Sequence, residues 1–270
     1  MKIGSREFDP IHQVYIMGIL NVTPDSFSDG GRYLDLDKAL YHAQEMVDQG
    51  VDILDVGGES TRPGHQKISE AEEMERVAPV LEKLKARFDV PLSIDTYKTG
   101  VAKAAIQAGA DLVNDIWGLK AGNGLAELIA QSGVSCCLMH NRDESNYGDF
   151  LSEVEEDLRQ TLSLAEQAGI EKDRIILDPG IGFGKTFEQN LIMLNHLDRL
   201  QALGYPVLLG ASRKSVIGLA LDLPASERLE GTLATTVMAV MQGCGFVRVH
   251  DVRENKRAAA MALAVRESGR

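Results

Sequence analysis

Eight short apolar runs, each closed by a polar or glycine-containing tip and most of them followed by an amphipathic stretch, limit the possible folds of this chain. The runs are residues 14–21, 52–58, 92–96, 112–116, 135–140, 174–180, 206–212 and 246–251. They are nearly continuous in hydrophobicity rather than alternating, as expected of parallel strands covered on both faces. The stretches between them carry helix signals. Residues 38–49 stop at Gly50, a residue suited to the C′ position. Ser69-Glu70-Ala71-Glu72, Ser152-Glu153-Val154-Glu155, Thr186-Phe187-Glu188-Gln189 and Asp251-Val252-Arg253-Glu254 have capping-box spacing. Val77, Val80, Leu81 and Leu84 recur at the helical period. Regular β-then-α order implies parallel strands joined by right-handed crossovers. Eight such units predict an α/β fold, a closed (β/α)8 TIM barrel, whose usual size is about 250 residues. An open doubly wound sheet is the competing arrangement. Residues 1–13 precede the first run and are expected to form a short N-terminal segment capping the barrel floor. With no linker, low-complexity tract or repeat beyond the βα unit, residues 1–270 read as a single domain.

Forty acidic residues against 28 basic ones leave a net charge of −12, the wrong sign for a general nucleic-acid face. An anionic small substrate remains compatible if bases gather locally. The three cysteines, two of them adjacent (Cys136, Cys137), give neither a disulfide framework nor metal-ligand spacing, which fits a reducing cytoplasm. Residues 1–13 hold no apolar core of signal-peptide length, and no run approaches the length of a membrane span.

Active sites in such barrels occupy the C-terminal face, so the eight tips should converge on one mouth. Asp95 and Asp178 are acceptors and Asn114 both donates and accepts. Between apolar walls from Met139 and Phe183, that set suits a flat heterocycle with ring N–H groups and an exocyclic amine. Carboxylates that merely cap helices are the plainer alternative. Arg62, Lys214, Arg248 and His250 place positive charge on the same rim and can clamp a phosphate or carboxylate. Solvated surface bases are the alternative there, but Arg248 interrupts the apolar run Phe246-Val247-Arg248-Val249, where an unpaired charge is costly. The first tip continues through Asn21-Val22-Thr23-Pro24-Asp25-Ser26-Phe27-Ser28-Asp29-Gly30-Gly31, which sets an aromatic, Phe27, among Asn21, Asp25 and Asp29. Gly180-Ile181-Gly182-Phe183-Gly184-Lys185-Thr186 is not a Walker loop, because Pro179 stands where that pattern needs glycine. Nor is it a dinucleotide fingerprint, with Lys185 at its third glycine.

Together the tips resemble the dihydropteroate synthases of folate biosynthesis. The resemblance runs through nearly the whole chain and is most specific at the first tip, at Gly57-Gly58-Glu59-Ser60-Thr61-Arg62-Pro63-Gly64, at Asp178-Pro179-Gly180, at Ser212-Arg213-Lys214-Ser215 and at Arg248-Val249-His250-Asp251. It implies a transferase that joins 4-aminobenzoate to 6-hydroxymethyl-7,8-dihydropterin pyrophosphate and releases pyrophosphate, with Mg2+ as cofactor. Carried over position by position, Asp95, Asn114, Asp178 and Lys214 would bind the pterin ring, with Met139, Phe183 and Arg248 lining its faces. Asn21, Thr61, Arg62, Arg248 and His250 would hold the pyrophosphate, Asn21 also contacting the metal. Phe27, Pro63, Lys214 and Ser215 would form the slot for aminobenzoate and its sulfonamide mimics. Asp29 would lie near the metal or a cationic intermediate. Catalysis would fall to Asp95, Asp178, Lys214 and Arg248, with departure of the leaving group before amine attack, because an arylamine is a poor nucleophile. The resemblance also implies a homodimer formed around residues 226–243. A non-catalytic pterin-binding paralogue and a folate-dependent corrinoid methyltransferase domain are the alternatives.

Overall fold

In the computed structural model, which describes residues 1–23, 32–59, 67–122 and 124–268, the chain opens with a small antiparallel hairpin, β1 (Lys2–Ile3) and β2 (Arg6–Glu7). The alternation follows: β3 (Tyr15–Asn21), α1 (Arg32–Asp48), β4 (Ile53–Gly57), α2 (Glu70–Arg87), β5 (Leu92–Asp95), α3 (Thr99–Gln107), β6 (Leu112–Asp115), α4 (Leu125–Ser132), β7 (Ser135–Met139), α5 (Phe150–Ala168) and β8 (Ile175–Asp178). The last part comprises α6 (Phe187–Asn195), α7 (Asp198–Gln201), β9 (Leu208–Leu209), α8 (Ser215–Leu221), α9 (Leu229–Met241), β10 (Phe246–Val249) and α10 (Val252–Glu267). The parallel sheet runs β8-β7-β6-β5-β4-β3-β10-β9. A parallel bridge from Leu177 to Val207 joins β8 to the approach of β9, so the two edges meet. This is the (β/α)8 barrel expected of eight apolar runs. The open sheet is excluded by that closure. No helix among the described residues is long and apolar enough to cross a membrane.

Side chains alternate across the barrel wall with the period of two that strands impose. Ile16, Leu20, Leu54, Val56, Leu92, Ile94, Val113, Cys136, Leu138, Ile175, Leu177, Val247 and Val249 pack outward in one buried layer against the helices. Met17, Ile53, Leu112, Cys137, Ile176, Leu208 and Phe246 point inward and form a second, separate cluster at the N-terminal ends of the strands. Ile3 and Phe8 complete that cluster from below, and the Phe8 ring meets Tyr15 edge-on with centroids 4.7 Å apart. The first residues therefore cap the barrel floor, as their position ahead of the first run predicts.

Two helix starts differ from their sequence signals. Asp149, not Ser152, caps α5, its carboxylate accepting from the Ser152 amide. Asp251 makes no side-chain cap for α10, because the Arg213 guanidinium takes its carboxylate. Thr186 and Gln189 do form the full reciprocal capping box of α6.

Candidate active site

The same parity that sends hydrophobic side chains outward sends the next inward layer toward the C-terminal mouth, and that layer is polar. With Ile53 on the floor and Leu54 and Val56 outside, Asp55 faces in; by the same step so do Ser93, Asp95, Asn114, Met139, Asp178 and Arg248. Five of these six strands thus deliver polar groups to one interior, and β7 delivers Met139. Arg248 Nε donates to Asp55 Oδ2 at 2.6 Å and its Nη2 to Asp95 Oδ2 at 2.7 Å. Asn114 Nδ2 reaches Asp55 Oδ2 at 3.3 Å. Asp178 Oδ1 accepts from the Gly180 amide at 2.7 Å. Its other oxygen would lie 3.5 Å from a Cβ placed on Gly210, with Arg248 Cβ at 3.9 Å from the same point. A Cβ on Gly57 would sit 3.3 Å from Asn21 Oδ1 and 3.8 Å from Asp95 Cβ. Glycines at these wall positions leave room in the mouth. Met139 is buried beside them.

Burial sets the electrostatics. It pushes Asp95 up to about 7; the Arg248 cation opposes the rise and the Asp55 carboxylate adds to it. Asp178 is raised for the same reason, against the pull of Lys214. Lys214 is brought down to about 8 by burial, partly offset by Asp178. Burial alone would lower Arg248, but Asp55 and Asp95 outweigh it and keep the guanidinium charged. Oδ1 of Asp95 and Oδ1 of Asp55 are buried with no hydrogen-bond partner in the protein, so two acceptors stand unused in the layer that holds the Arg248 cation. A ligand bearing several N–H donors matches that set.

The seventh and eighth tips shape the rim. Lys214 Nζ donates to the Ile181 carbonyl and lies 4.6 Å from the centroid of the Phe183 ring, a cation–π contact. Arg213, one residue earlier, adopts a left-handed backbone with φ of 56°. The Asp251 carboxylate holds its guanidinium, Thr232 Oγ1 accepts from its amide at 3.1 Å, and Arg228 donates to its carbonyl at 3.0 Å. These bonds stabilise an unfavourable conformation that turns Lys214 inward. Ser212 Oγ and His250 Nδ1 are 3.0 Å apart, joining the two tips. Ser215 is exposed at the start of α8. At the second tip, Lys98 Nζ binds Glu59 and Glu73 at 2.7 Å each and the Ile68 carbonyl at 2.8 Å.

Asn21, Asp95, Asn114, Met139, Asp178, Phe183, Lys214, Arg248 and His250, named from the sequence, therefore meet at one end of the barrel. Phe27, Asp29, Thr61, Arg62 and Pro63 lie outside the described residues. Asp55 was missed, although it interrupts the apolar run Ile53-Leu54-Asp55-Val56 just as Arg248 interrupts its own. Arg213 was also missed; no pattern in its neighbourhood announces a left-handed backbone.

Comparison with known proteins agrees with this geometry. The profile of the pterin binding enzyme family matches residues 17–250. A dihydropteroate synthase of Clostridium beijerinckii is 58% identical over 262 residues, covering 97% of each chain. Among solved structures, the dihydropteroate synthase of Clostridium difficile, crystallised in the presence of pteroic acid, superposes with a TM-score of 0.94. It is 51% identical and is matched over 96% of this chain and 99% of that one. The Yersinia pestis enzyme in a sulfonamide drug complex gives a TM-score of 0.92 at 42% identity, with 99% of both chains covered. With a matching family profile, relatives alike along almost their whole length, and a barrel mouth that gathers the expected acids and bases, this chain belongs to the dihydropteroate synthase family of pterin-binding enzymes.

Proposed function

We propose that the mouth built by Asp55, Asp95, Asn114, Asp178, Lys214 and Arg248 is the site where 6-hydroxymethyl-7,8-dihydropterin pyrophosphate and 4-aminobenzoate are condensed to 7,8-dihydropteroate, with release of pyrophosphate. The chain is a transferase of folate biosynthesis, and residues 1–270 are read as one pterin-binding barrel domain. The observation that carries the site assignment is the inward polar layer, where buried carboxylates with unused acceptor oxygens stand beside the clamped Arg248. Asp95, Asn114 and Asp178 would take the ring N–H groups and exocyclic amine of the pterin, and Met139, Phe183 and Arg248 would line its faces. His250, Arg248 and Asn21, together with Thr61 and Arg62, would hold the pyrophosphate. Lys214 and Ser215, with Phe27 and Pro63, would receive aminobenzoate, and Asp29 would stand near the reacting centre.

In the reaction the C–O bond between the pterin methylene and pyrophosphate breaks, and the electron pair leaves on the pyrophosphate oxygen. The arylamine nitrogen then forms the C–N bond and loses a proton. Arg248 and His250 offset charge growing on the leaving group, while Asp95 and Asp178 favour positive charge spread over the pterin. Because Asp55 and Asp95 already fix Arg248, little reorganisation is needed at the moment of bond cleavage. Departure before attack requires that some pyrophosphate be released without aminobenzoate. An absolute requirement for the amine would exclude that order.

A Mg2+ ion fits the donors at hand. Among the described residues no group of three or more His, Cys, Asp or Glu could hold a metal. Mg2+ commonly takes only one or two protein oxygens and fills the rest of its shell with substrate phosphates and water. Asn21 offers one hard amide oxygen at the mouth. Bound there with pyrophosphate, the ion would supply charge neutralisation. Steady-state formation of dihydropteroate from the two substrates, with and without Mg2+, tests the function; no aminobenzoate-dependent turnover would reject it.

Perturbed carboxylate and lysine ionisation predicts a bell-shaped pH profile for kcat/KM of the dihydropterin substrate. Activity should rise as Asp95 ionises near 7 and fall as Lys214 loses its proton near 8. Asp55→Asn removes a like charge that raises Asp95, so the acid limb should move to lower pH. A profile that is flat from about pH 6 to 9 would remove both residues from these roles.

A homodimer is supported by the exposed Val237, Met238 and Met241 of α9 beside Met261 and Val265 of α10. Sedimentation mass in solution is the check. A reducing cytoplasmic location fits Cys136, Cys137 and Cys244, all buried free thiols.

A further inference from the structure

Next to the Phe183 loop runs a line of ionisable groups that the condensation itself leaves unassigned. Lys185 Nζ lies 2.8 Å from His140 Nδ1 and 3.0 Å from each of the Gly180 and Phe183 carbonyl oxygens. His140 is fully buried, and its Nε2 is 2.9 Å from Asp157 Oδ2 on α5. Arg142 Nε donates to the same Asp157 oxygen at 2.6 Å. An ammonium carries three protons, and three acceptors surround it here. The Asp157 carboxylate places the imidazole proton on Nε2, which leaves Nδ1 free to accept; the tautomer follows from these partners. Burial takes His140 down to about 4, so the ring stays neutral, and lowers Lys185 to about 7.

The loop held by this lysine has little freedom elsewhere. Its Gly180 amide is bound by Asp178, its Gly182 amide donates to Asn190 Oδ1 at 2.7 Å, and its Gly184 carbonyl accepts from the Tyr147 hydroxyl at 2.8 Å. Gly180 has φ of 68°, and a Cβ there would lie 1.9 Å from the His140 carbonyl oxygen, so the strand-end backbone and the loop are in close contact. Without the Lys185 ammonium, two loop carbonyls and a buried imidazole nitrogen would lose their common donor.

We propose that Lys185 is a positioning residue for the pterin site: seated on His140 and on the Gly180 and Phe183 carbonyls, it fixes where the Phe183 ring and the Asp178 carboxylate stand, and so sets affinity for the dihydropterin rather than for 4-aminobenzoate. The inference rests on the pterin assignment given above. Its test is fluorescence titration with 6-hydroxymethylpterin. Lys185→Met, close in length but without donors, should weaken binding by about tenfold or more, while KM for 4-aminobenzoate at saturating dihydropterin pyrophosphate stays within about twofold. In a Phe183→Ala background the same substitution should cost markedly less, because the ring it aims is gone. A lowered thermal midpoint with unchanged pterin affinity would reduce Lys185 to a structural role and overturn the inference. Should Lys185→Met not fold, Asp157→Leu provides the second reading: it leaves the lysine but takes away the acceptor that orients the imidazole, and should weaken pterin binding by about threefold or more. Unchanged affinity in that variant overturns the inference as well. The two readings fail separately. If wild type and Asp178→Asn bind 6-hydroxymethylpterin equally, the pterin assignment is wrong; if Asp178→Asn loses binding and Lys185→Met does not, only the role of Lys185 is wrong.

Discussion

Arg248→Met is expected to lower kcat/KM by about 30- to 5,000-fold, the equivalent of the ~2–5 kcal/mol lost when one partner of a buried charge-assisted contact is removed. The same substitution should destabilise the barrel by about 3–5 kcal/mol, because two carboxylates then remain buried without their counter-charge. Asp55 is fully buried and Asp95 is 5% exposed, and the guanidinium between them is bound to both. The destabilisation should depend on pH with a definite sign. Asp95 already titrates near 7 in the folded protein, and losing Arg248, which holds it down, moves it higher. A carboxyl whose folded pKa is raised costs nothing while it stays protonated in both states. Its cost grows as pH rises from the unfolded value toward the folded one. The deficit of Arg248→Met relative to wild type should therefore be small near about pH 5 and largest above about pH 8 in urea unfolding. Near-normal turnover would show that Arg248 does not touch the reacting groups. An equal deficit at both pH values would show that the two carboxylates are not what the arginine compensates.

Asp178→Asn should abolish most pterin affinity while sparing the fold. One oxygen of Asp178 holds the Gly180 amide, and the other faces the mouth near Gly210. Asparagine keeps an oxygen for Gly180 but turns an NH2 group toward the ligand. A donor then meets the pterin donors, and a charged acceptor is lost. Hydrogen bonds to charged groups contribute about 1.5–3 kcal/mol each, so affinity for 6-hydroxymethylpterin should fall by about 10- to 150-fold. The stability change should be slight, because burial disfavours the ionised form that the substitution removes. Asp178→Ala should lose the same affinity and also release the Gly180 amide, so comparing the two variants separates ligand binding from loop support. An Asn variant that binds pterin within about threefold of wild type would take Asp178 out of the ring-binding set.

Most of the architecture could be read from periodicity. The run at residues 112–116 became β6 at Leu112–Asp115 and that at 92–96 became β5 at Leu92–Asp95, since a strand buried on both faces announces itself by continuous hydrophobicity. The run at 206–212 overestimates its strand: only Leu208 and Leu209 form β9, after which the chain turns so that Ser212 can meet His250. Local capping rules worked where no distant charge competed, as at Thr186, and failed at Asp251, whose carboxylate went to Arg213.

The candidate site was legible to the extent that its residues end strands. Asp95, Asn114, Asp178 and Arg248 are tip residues, and a barrel must bring its tips together. Arg248 also marks itself as a charge inside an apolar run. The sequence could not say which acids would meet it. Asp55 and Asp95 lie 193 and 153 positions away along the chain, and only closure of the ring sets them against the guanidinium. Nor could it show that Lys185 would find His140 rather than solvent. Amino-acid order determined the strands, their parity and the chemistry at each tip, because these depend on near neighbours and on a period of two. Partnership among the buried charges was decided by the tertiary structure, because a buried ion is stable only beside whatever opposite charge the fold brings within a few ångströms.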